Sequence, residues 1–266
     1  MSLKAERLSY SYLPRRGADV VFTLRDVTVD IPTGSLTGVL GPNGCGKTTL
    51  LKLLSGVLQP KQGTVTLDGA PLSTMSRRDV AQRIAVVPQE THPAFDYTVL
   101  EMVLMGRHPH LGMFQLEGPP DVAIAEAALR ATGTEHLANR AYMTLSGGEK
   151  QRVVIASALA QSSDVLLLDE PTASLDLGYQ LEVANLLTRL NHERRVTMVL
   201  ATHDLNLAAA VCDRLVLVRE GRVLSQGNTV DTLTAPMVKR LYDVDADVHY
   251  HERARHLTVT PVSHTR

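Results

Sequence analysis

The residues Gly41-Pro42-Asn43-Gly44-Cys45-Gly46-Lys47-Thr48-Thr49 carry the clearest chemical signal in the chain. Their spacing, Gly, four residues, then Gly-Lys-Thr, is that of a loop that cradles phosphate. Glycines let backbone N–H groups turn inward around phosphate oxygens. A helix N-terminus directly after the loop adds partial positive charge. Lys47 has the reach for the terminal phosphates of a nucleotide, and the Thr48 hydroxyl can ligate Mg²⁺. The flanks agree with this. Leu36 to Leu40 is an apolar run that predicts a buried strand, and 48–54 (TTLLKLL) predicts a helix. Cys45 sits beside that helix end and beside Lys47, both of which lower a thiol's pKa. A reactive thiol, shielded by bound nucleotide, is therefore expected at Cys45. The bland alternative is a glycine-rich turn that binds nothing, and the Lys-Thr pair with the right flanks weighs against it.

Further polar residues fall at the ends of predicted strands. Asp164–Leu168 (DVLLL) predicts a buried strand that terminates in Asp169-Glu170-Pro171. Carboxylates at the C-terminal end of a strand lie where open parallel sheets bind ligands. In a phosphate-loop protein an Asp at Asp169 holds the Mg²⁺ shell, and Glu170 is then placed as general base for water. Val196–Ala201 (VTMVLA) predicts another buried strand, ending at Thr202-His203-Asp204, where a neutral His203 could contact a γ-phosphate or water. Arg83–Gln89 (RIAVVPQ) is a strand closed by Pro88 and Gln89. Gln89 could give an oxygen to Mg²⁺ or water, although alone it reads as a loop residue. Leu145-Ser146-Gly147-Gly148-Glu149 opens a helix through Gln161, with Ser146 as N-cap and Glu149 in capping-box spacing. That helix end offers a hydroxyl and two glycine N–H groups to an anion; the bland reading is a well-capped helix and no more. Tyr10 and Tyr12 end the first strand. An aromatic near a nucleotide site can stack on adenine, against the plainer reading that both simply pack.

The 266 residues allow one large domain or two small ones. A hydrophobic content of 44% and a charged content of 21% describe a globular chain. A formal charge of −1 gives no general attraction to nucleic acid or anionic lipid. No apolar run approaches the roughly 20 residues of a membrane span, and no apolar h-region marks a signal peptide near Arg15–Arg16. Cys45 and Cys212 have no metal-ligand spacing, and a reducing, cytosolic setting is the simplest expectation. Residues 1–35 read as short strands, with Leu24–Ile31 alternating apolar and polar and a polar turn at Pro14–Asp19. Thr64–Asp68 reads as a strand turning at Asp68-Gly69. Residues 90–145 have no convincing strand. They predict helices over Thr98–Met105 and Asp121–Thr132, the second with Asp121 as N-cap after Pro119-Pro120. The loop between, Arg107–Gly118, is expected to expose His108 and His110. The whole is an α/β core with a helical insertion. Arg214–Val218 and Arg222–Ser225 predict a hairpin around Glu220-Gly221. The tail holds a short helix, Met237–Tyr242, then Val248–Tyr250 and His256–Thr260. Its histidines, His249, His251, His256 and His264, are expected on a solvated cover rather than at a metal.

Taken in order, these pieces resemble the ATP-binding subunits of ABC transporters over nearly the whole chain. Gly41–Thr49 looks like the Walker A motif, Gln89 like the Q-loop glutamine, and Leu145–Glu149 like the LSGGE-type signature. Val165–Glu170 looks like Walker B with its catalytic glutamate, Ser174-Leu175-Asp176 like the D-loop, and His203 like the switch histidine. Tyr12 best matches the stacking aromatic, with Tyr10 the alternative. The resemblance implies an α/β, P-loop NTPase fold of the ABC ATPase type, with a mostly parallel core sheet, an antiparallel β-subdomain and a helical subdomain. It implies one ABC ATPase domain over 1–266: an ATP-binding lobe at 1–89 and 159–235, a helical lobe at 90–158, and a C-terminal extension at 236–266. It implies ATP and Mg²⁺, with Thr48, Gln89 and Asp169 at the metal and Glu170 and His203 catalytic. It further implies a head-to-tail homodimer in which Ser146, Gly147 and Gly148 of one copy face the γ-phosphate held by Lys47 of the other, with Asp176 nearby in the D-loop. The partners implied are integral membrane permease subunits and, indirectly, a periplasmic substrate-binding protein, at the cytoplasmic face of a bacterial inner membrane; no nucleic acid is implied.

Thr98-Val99-Leu100 and Met105–His110 resemble the importer branch for iron-siderophores, cobalamin and haem. Leu241–Val244 and Thr258–Pro261 look most like its haem importers. A ferric-siderophore or cobalamin importer is the runner-up. A non-transport ABC ATPase is disfavoured, because ribosome-acting members carry two nucleotide-binding sets and DNA-acting ones long coiled coils. An exporter's ATPase is disfavoured by the importer-like segment after Gln89. Ser157 departs from many relatives, which carry arginine there, and puts one local salt bridge in doubt.

Overall fold

The computed structural model describes residues 2–12 and 23–264. The turn expected over Pro14–Asp19 lies outside the described residues. The first sheet is antiparallel, in the order β2-β1-β4-β5, from β1 (Leu3–Ser11), β2 (Thr23–Ile31), β4 (Gln62–Leu67) and β5 (Ala70–Pro71). Asp68 and Gly69 make the β4–β5 turn with φ of 52° and 81°, the pair of positive values that a tight hairpin requires. The expected alternation of β2 holds from Val27 to Ile31, all three odd positions being buried. It breaks at Asp26 (φ 52°), beside a register shift in the β1–β2 pairing, as a bulge does.

The second sheet has six strands in the order β10-β9-β3-β8-β7-β6. These are β3 (Leu36–Leu40), β6 (Ile84–Val87), β7 (Val165–Asp169), β8 (Thr197–Thr202), β9 (Arg214–Arg219) and β10 (Arg222–Asn228). All pairs are parallel except the β9–β10 hairpin. Every residue of β3, β7 and β8 is buried, which is why these strands read as unbroken apolar runs: parallel sheets are covered on both faces. In register, Leu40 lies opposite Thr202, Asp169 opposite Ala201 and Val87 opposite Leu168. Four adjacent strands therefore release their chains at one sheet edge, in the order phosphate-type loop, His203, Asp169-Glu170, Gln89.

The helices are α1 (Lys47–Leu54), α2 (Arg77–Arg83), α3 (Val99–Leu104), α4 (Pro119–Ala131), α5 (Gly147–Ala160), α6 (Leu177–Arg194), α7 (Leu205–Val211), α8 (Thr229–Thr232) and α9 (Ala235–Tyr242). Helices α3, α4 and α5 enclose their own core, including Val99, Val103, Ala125, Leu129, Val153 and Ala156. Between residues 90 and 145 the only β pairing among the described residues is one bridge, Thr98 to Ala141. The contact of α5 with the turn after α3 is very close. A Cβ on Gly106 would lie 2.1 Å from the carbonyl oxygen of Ser157, so glycine is required there.

Two expectations in this region are corrected. Asp121 is not the N-cap of α4. Gly118 is, with Pro119 and Pro120 inside the first turn, where a missing N–H costs nothing and φ is already helical. Asp121 instead reaches back as the N3 carboxylate and accepts from the Gly118 N–H at 3.1 Å. His108 is exposed as expected, but Met105–His110 continues α3 as a 3-10 helix and His110 is half-buried. Its Nε2–H donates to the Gln161 carbonyl at 2.7 Å. Arg107 is buried, pairs with Asp121 (3.0 Å) and caps the end of α5 at the Ala160 carbonyl (2.7 Å). Gln161 in turn donates from Nε2 to the Ile84 carbonyl at 2.9 Å, and also to that of Ala81, tying the end of α5 to the start of β6.

The tail is more than a cover. β11 (Val244–His251) and β12 (His256–His264) form a separate antiparallel pair. One face, with Ala246, Leu257 and Val259, is buried in the largest core cluster together with Val238 and Leu241 of α9 and Leu207 and Ala208 of α7. His249 and His251 lie on the exposed face.

Candidate nucleotide site

The loop between β3 and α1 is shaped by close packing. A Cβ at Gly41 would lie 2.1 Å from the Val218 carbonyl oxygen and 2.6 Å from Cys45 Sγ, so only glycine fits. Gly44 and Gly46 take positive φ, 78° and 112°, a region costly for other residues. Gly46 is the N-cap of α1, and this helix end has neither a side-chain cap bond nor an acidic residue in its first turn. Its N–H groups and positive dipole end therefore face the loop.

Lys47 is 5% exposed and its Nζ donates to the carbonyls of Gly41 (2.9 Å) and Pro42 (3.4 Å). The same Nζ lies 3.2 Å from Glu170 Oε1. The other oxygen of Glu170 is 2.9 Å from His203 Nδ1. Glu170 holds this bridging position in a left-handed conformation (φ 46°), its N–H donating to the Ala201 carbonyl at 2.9 Å. Thr48 Oγ1 donates to Asp169 Oδ1 at 3.1 Å. Burial pushes the Asp169 carboxyl above the usual carboxylate range, the Thr48 hydrogen bond opposes this, and neighbouring Glu170 adds to it. Lys47, Thr48, Thr49, Gln89 and Glu170 line a cleft of about 500 Å³ together with Asn43, Gly44, Gly46 and Tyr12. Tyr12 is 40% exposed and its hydroxyl lies 3.3 Å from Thr49 Oγ1. Tyr10 packs instead against the core cluster of the first sheet and meets Tyr12 edge to face at 5.1 Å. Of the two tyrosines, Tyr12 is the one that lines the cleft.

The sequence expectation for Cys45 is corrected. The thiol is 3% exposed beneath the loop. Burial raises its pKa more than the charge of Lys47 lowers it, so it is neither exposed nor activated. Pro42 contributes its carbonyl to Lys47 and does not line the cleft. Ser146, Gly147 and Gly148 lie elsewhere, at the start of α5. The Ser146 N–H donates to Glu149 Oε2 (2.8 Å) and the Glu149 N–H to Ser146 Oγ (3.3 Å). Gly148 packs against the Tyr179 ring, where a Cβ would lie 2.3 Å from Cδ1. Gly147 lines a second, smaller cleft, which it shares with Gln89, Glu170 and Lys150. Asp176 caps α6, its Oδ1 accepting from the Tyr179 N–H at 3.1 Å, and lines neither cleft. Local spacing did not point to Tyr242 at this site. Its hydroxyl donates to the His203 carbonyl at 3.2 Å across 39 positions of chain.

The donors that converge beside Lys47 are a hydroxyl (Thr48), a carboxylate (Asp169) and an amide (Gln89). All offer oxygen, which suits a hard divalent cation that keeps waters and phosphate oxygens in its shell. A fixed ammonium, a bare helix end and a carboxylate held between a lysine and a histidine are groups that suit a polyphosphate and a water.

This sheet-edge order, with a helical insertion whose last helix opens on Ser-Gly-Gly, is that of an ATP-binding cassette, and the chain belongs to the ABC transporter family, whose sequence pattern matches residues 24–173. It is an ATP hydrolase of the kind coupled to transmembrane transport. Among its relatives is the iron(3+)-hydroxamate import ATP-binding protein FhuC of Bacillus subtilis, 39% identical over 93% of this chain and 90% of the relative. Another is the hemin import ATP-binding protein HmuV of Myxococcus xanthus, 43% identical over 85% of this chain and 86% of the relative. A metal-chelate type ABC transporter solved in an inward-facing conformation superposes with a TM-score of 0.84 at 32% identity, covering 98% of this chain and 97% of that one. A dimeric cassette bound to ADP and phosphate superposes at 0.73, 28% identical, covering 85% and 98%. Among the described residues no helix is long and apolar enough to cross a membrane.

Proposed function

We propose that this chain is the ATP-binding and ATP-hydrolysing subunit that energises an importer for haem or a related iron chelate. It acts as a head-to-tail homodimer beneath separate integral membrane permease subunits, at the cytoplasmic face of a bacterial inner membrane. A periplasmic binding protein delivers the cargo from the other side. ATP-dependent closure of the dimer moves the helical lobes (90–158) against the ATP-binding lobes (1–89 and 159–235) and drives the permease. Supporting this reading, the two helix ends suited to phosphate, those of α1 and α5, open on different clefts of one chain, and a second copy facing the first would bring one of each to the same nucleotide.

In this reading Lys47 and the loop Gly41–Thr49 hold the phosphates and Tyr12 stacks on the base. Ser146, Gly147 and Gly148 of the other copy complete the γ-phosphate shell, and Asp176 lies at the junction. Glu170 takes the proton of the attacking water while His203, on the far oxygen of the same carboxylate, holds that carboxylate in place. Thr48, Asp169 and Gln89 would hold Mg²⁺, which when bound neutralises phosphate charge. The cargo reading rests on the tail segments that resemble haem importers, supported by the 43% identity to a hemin import protein. A ferric-siderophore importer is the second reading, favoured by the longer match to the hydroxamate relative.

A mixed dimer tests the shared site. Lys47→Ala destroys a copy's own cradle, and Ser146→Arg destroys the surface it lends. Pairing one mutant of each kind puts both lesions in one nucleotide site and leaves the other intact. Tagged, doubly purified mixed dimers in permease complexes should then recover up to about half of wild-type ATPase activity if the sites act independently, while each homodimer stays inactive. The double mutant Lys47→Ala/Ser146→Arg paired with wild type leaves a lesion in each site and should not recover. If that pairing is the active one and the mixed dimer is dead, each chain completes its own site. The co-purified permease, assayed with haem and with ferric hydroxamate, decides the cargo.

A further inference from the structure

The C-terminal extension touches the proposed catalytic centre at more than one point. α9 ends on Tyr242, whose hydroxyl donates to the main-chain carbonyl of His203. Burial first, then the fields of Cys45, Glu170 and Asp204, push its phenol upward. The hydroxyl therefore stays protonated, and against a carbonyl it can only donate. The helix after His203 is held from the other side. Asn206, in the first turn of α7, donates from Nδ2 to the Val259 carbonyl (3.2 Å) and accepts at Oδ1 from the Val259 N–H (2.8 Å). This two-point pairing docks the α7 entry onto β12 as a further strand would. The His203 segment is thus held at the His203 carbonyl and again three residues on, at Asn206, by two elements of the extension.

The next residue makes the second connection. Asp243 ends α9 in a left-handed conformation (φ 56°) and accepts from both Nη atoms of Arg219, at 3.0 and 2.7 Å. Such a two-pronged pairing fixes orientation as well as distance. Arg219 ends β9, and two residues on the Gly221 N–H donates to the Cys45 carbonyl at 3.1 Å, inside the phosphate-type loop. The Val218 carbonyl is also the surface against which Gly41 packs. Adjacent residues of one helix end, Tyr242 and Asp243, therefore connect to both walls of the site: one to the histidine beside Glu170, the other to the hairpin that supports the Lys47 loop.

We propose that the C-terminal extension is a positioning element of the ATPase site, with Tyr242 setting the main chain at His203 so that the imidazole stays on Glu170. The proposal rests on the catalytic reading of Glu170 and His203 above. Tyr242 lines neither cleft, and its hydroxyl meets the site at the His203 carbonyl, so its effect on turnover is expected to run through His203.

The test uses the full-length chain and Tyr242→Phe, which removes one oxygen and keeps the buried ring. Losing one neutral hydrogen bond predicts a fall in kcat of about threefold to tenfold, with KM for ATP within about twofold of wild type, because the phosphate loop is untouched. Tyr250→Phe, on the same extension and 56% exposed, should leave kcat unchanged. Tyr242→Phe is then placed in a His203→Ala background and read by single-turnover hydrolysis, so that slow rates remain measurable. There it should add no further loss. Wild-type kcat in Tyr242→Phe, a change confined to KM, or the same fold-loss in both backgrounds would each overturn the positioning role. If His203→Ala itself turns over like wild type, the catalytic reading of His203 fails, and Tyr242 has nothing to position. If His203→Ala is impaired and Tyr242→Phe still multiplies the loss, only the positioning proposal falls.

Discussion

Two helices of this chain begin on glycine-containing turns and treat their N-termini in opposite ways. α1 starts at Gly46 with no side-chain cap bond and no acidic residue in its first turn. α5 starts at Ser146 with a complete capping box closed by Glu149. An uncapped end leaves N–H groups and dipole unsatisfied, which a protein keeps only where another group will meet them. A capped end is stable by itself. The difference separates two tasks that look alike in sequence: α1 is built to hold an anion with its own chain. α5 can lend only its glycine N–H groups, unless Ser146 first gives up its bonds to Glu149. The neighbouring carboxylates follow suit. Glu149 is lowered by its bonds to the Ser146 N–H and hydroxyl, whereas Asp169, beside α1, is raised by burial.

The largest effect is expected at the open end. Glu170→Gln keeps the side chain's size and removes the proposed base, so hydrolysis should fall about a hundred- to ten-thousandfold. Binding of ATP, measured by titration calorimetry, should be retained and an ATP-bound dimer should accumulate. Turnover within about threefold of wild type, far above that range, would remove Glu170 from the role. At the closed end the expected change is in stability. Ser146→Ala should cost about 1 kcal/mol through the lost cap, roughly 2–4 °C in melting midpoint for a chain of this size. An unchanged midpoint would mean that α5 does not depend on its cap.

The smallest effect is one of pH, and its sign separates the two ends. Glu149 has a lowered carboxyl, so its stabilisation is complete above the unfolded value and fades as pH falls through the folded one. Glu149→Gln should therefore lower the melting midpoint at pH 7, and less so in acid. Asp169 has a raised carboxyl, so the folded chain holds that proton more tightly than the unfolded chain. The stability that this provides in acid is lost as pH rises from the ordinary carboxylate range through the raised one. Asp169→Asn, whose amide oxygen still accepts from Thr48, should raise the nucleotide-free midpoint at pH 7 by about 1–3 °C, with the gap closing toward pH 4. Differential scanning fluorimetry across that range checks both, and shifts of the same sign would break the comparison.

Much of this was legible in the sequence because it is local. The strands of the core are apolar runs ended by polar residues, and the phosphate-type loop, Ser146 cap and Asp169-Glu170 pair are each contiguous. Their parallel pairing then places them at one edge without further information. What escaped depends on distant packing. Cys45 has the neighbours of a reactive thiol, yet Gly41 and the β9–β10 hairpin bury it. Asp121 follows two prolines and reads as a cap, but the prolines themselves occupy the first turn. His110 lies in a polar stretch and turns inward only because α5 ends beside it. Tyr242 and Asp243 sit at the end of an ordinary amphipathic helix, and nothing within ten residues of them hints at His203 or Arg219.

The anchorage of Gln161 has a mechanical consequence. α5 runs from Gly147 to Ala160, a rod about 21 Å long at 1.5 Å per residue. Its far end is pinned to the first residue of β6 through the Ile84 carbonyl, and its near end carries Ser146. A rod hinged at one end magnifies rotation: a tilt of about 10° at Gln161 displaces Ser146 by about 4 Å on that length. A rearrangement small enough to leave the Gln161 bonds intact is therefore enough to carry the glycine turn into or out of hydrogen-bonding range of a facing phosphate.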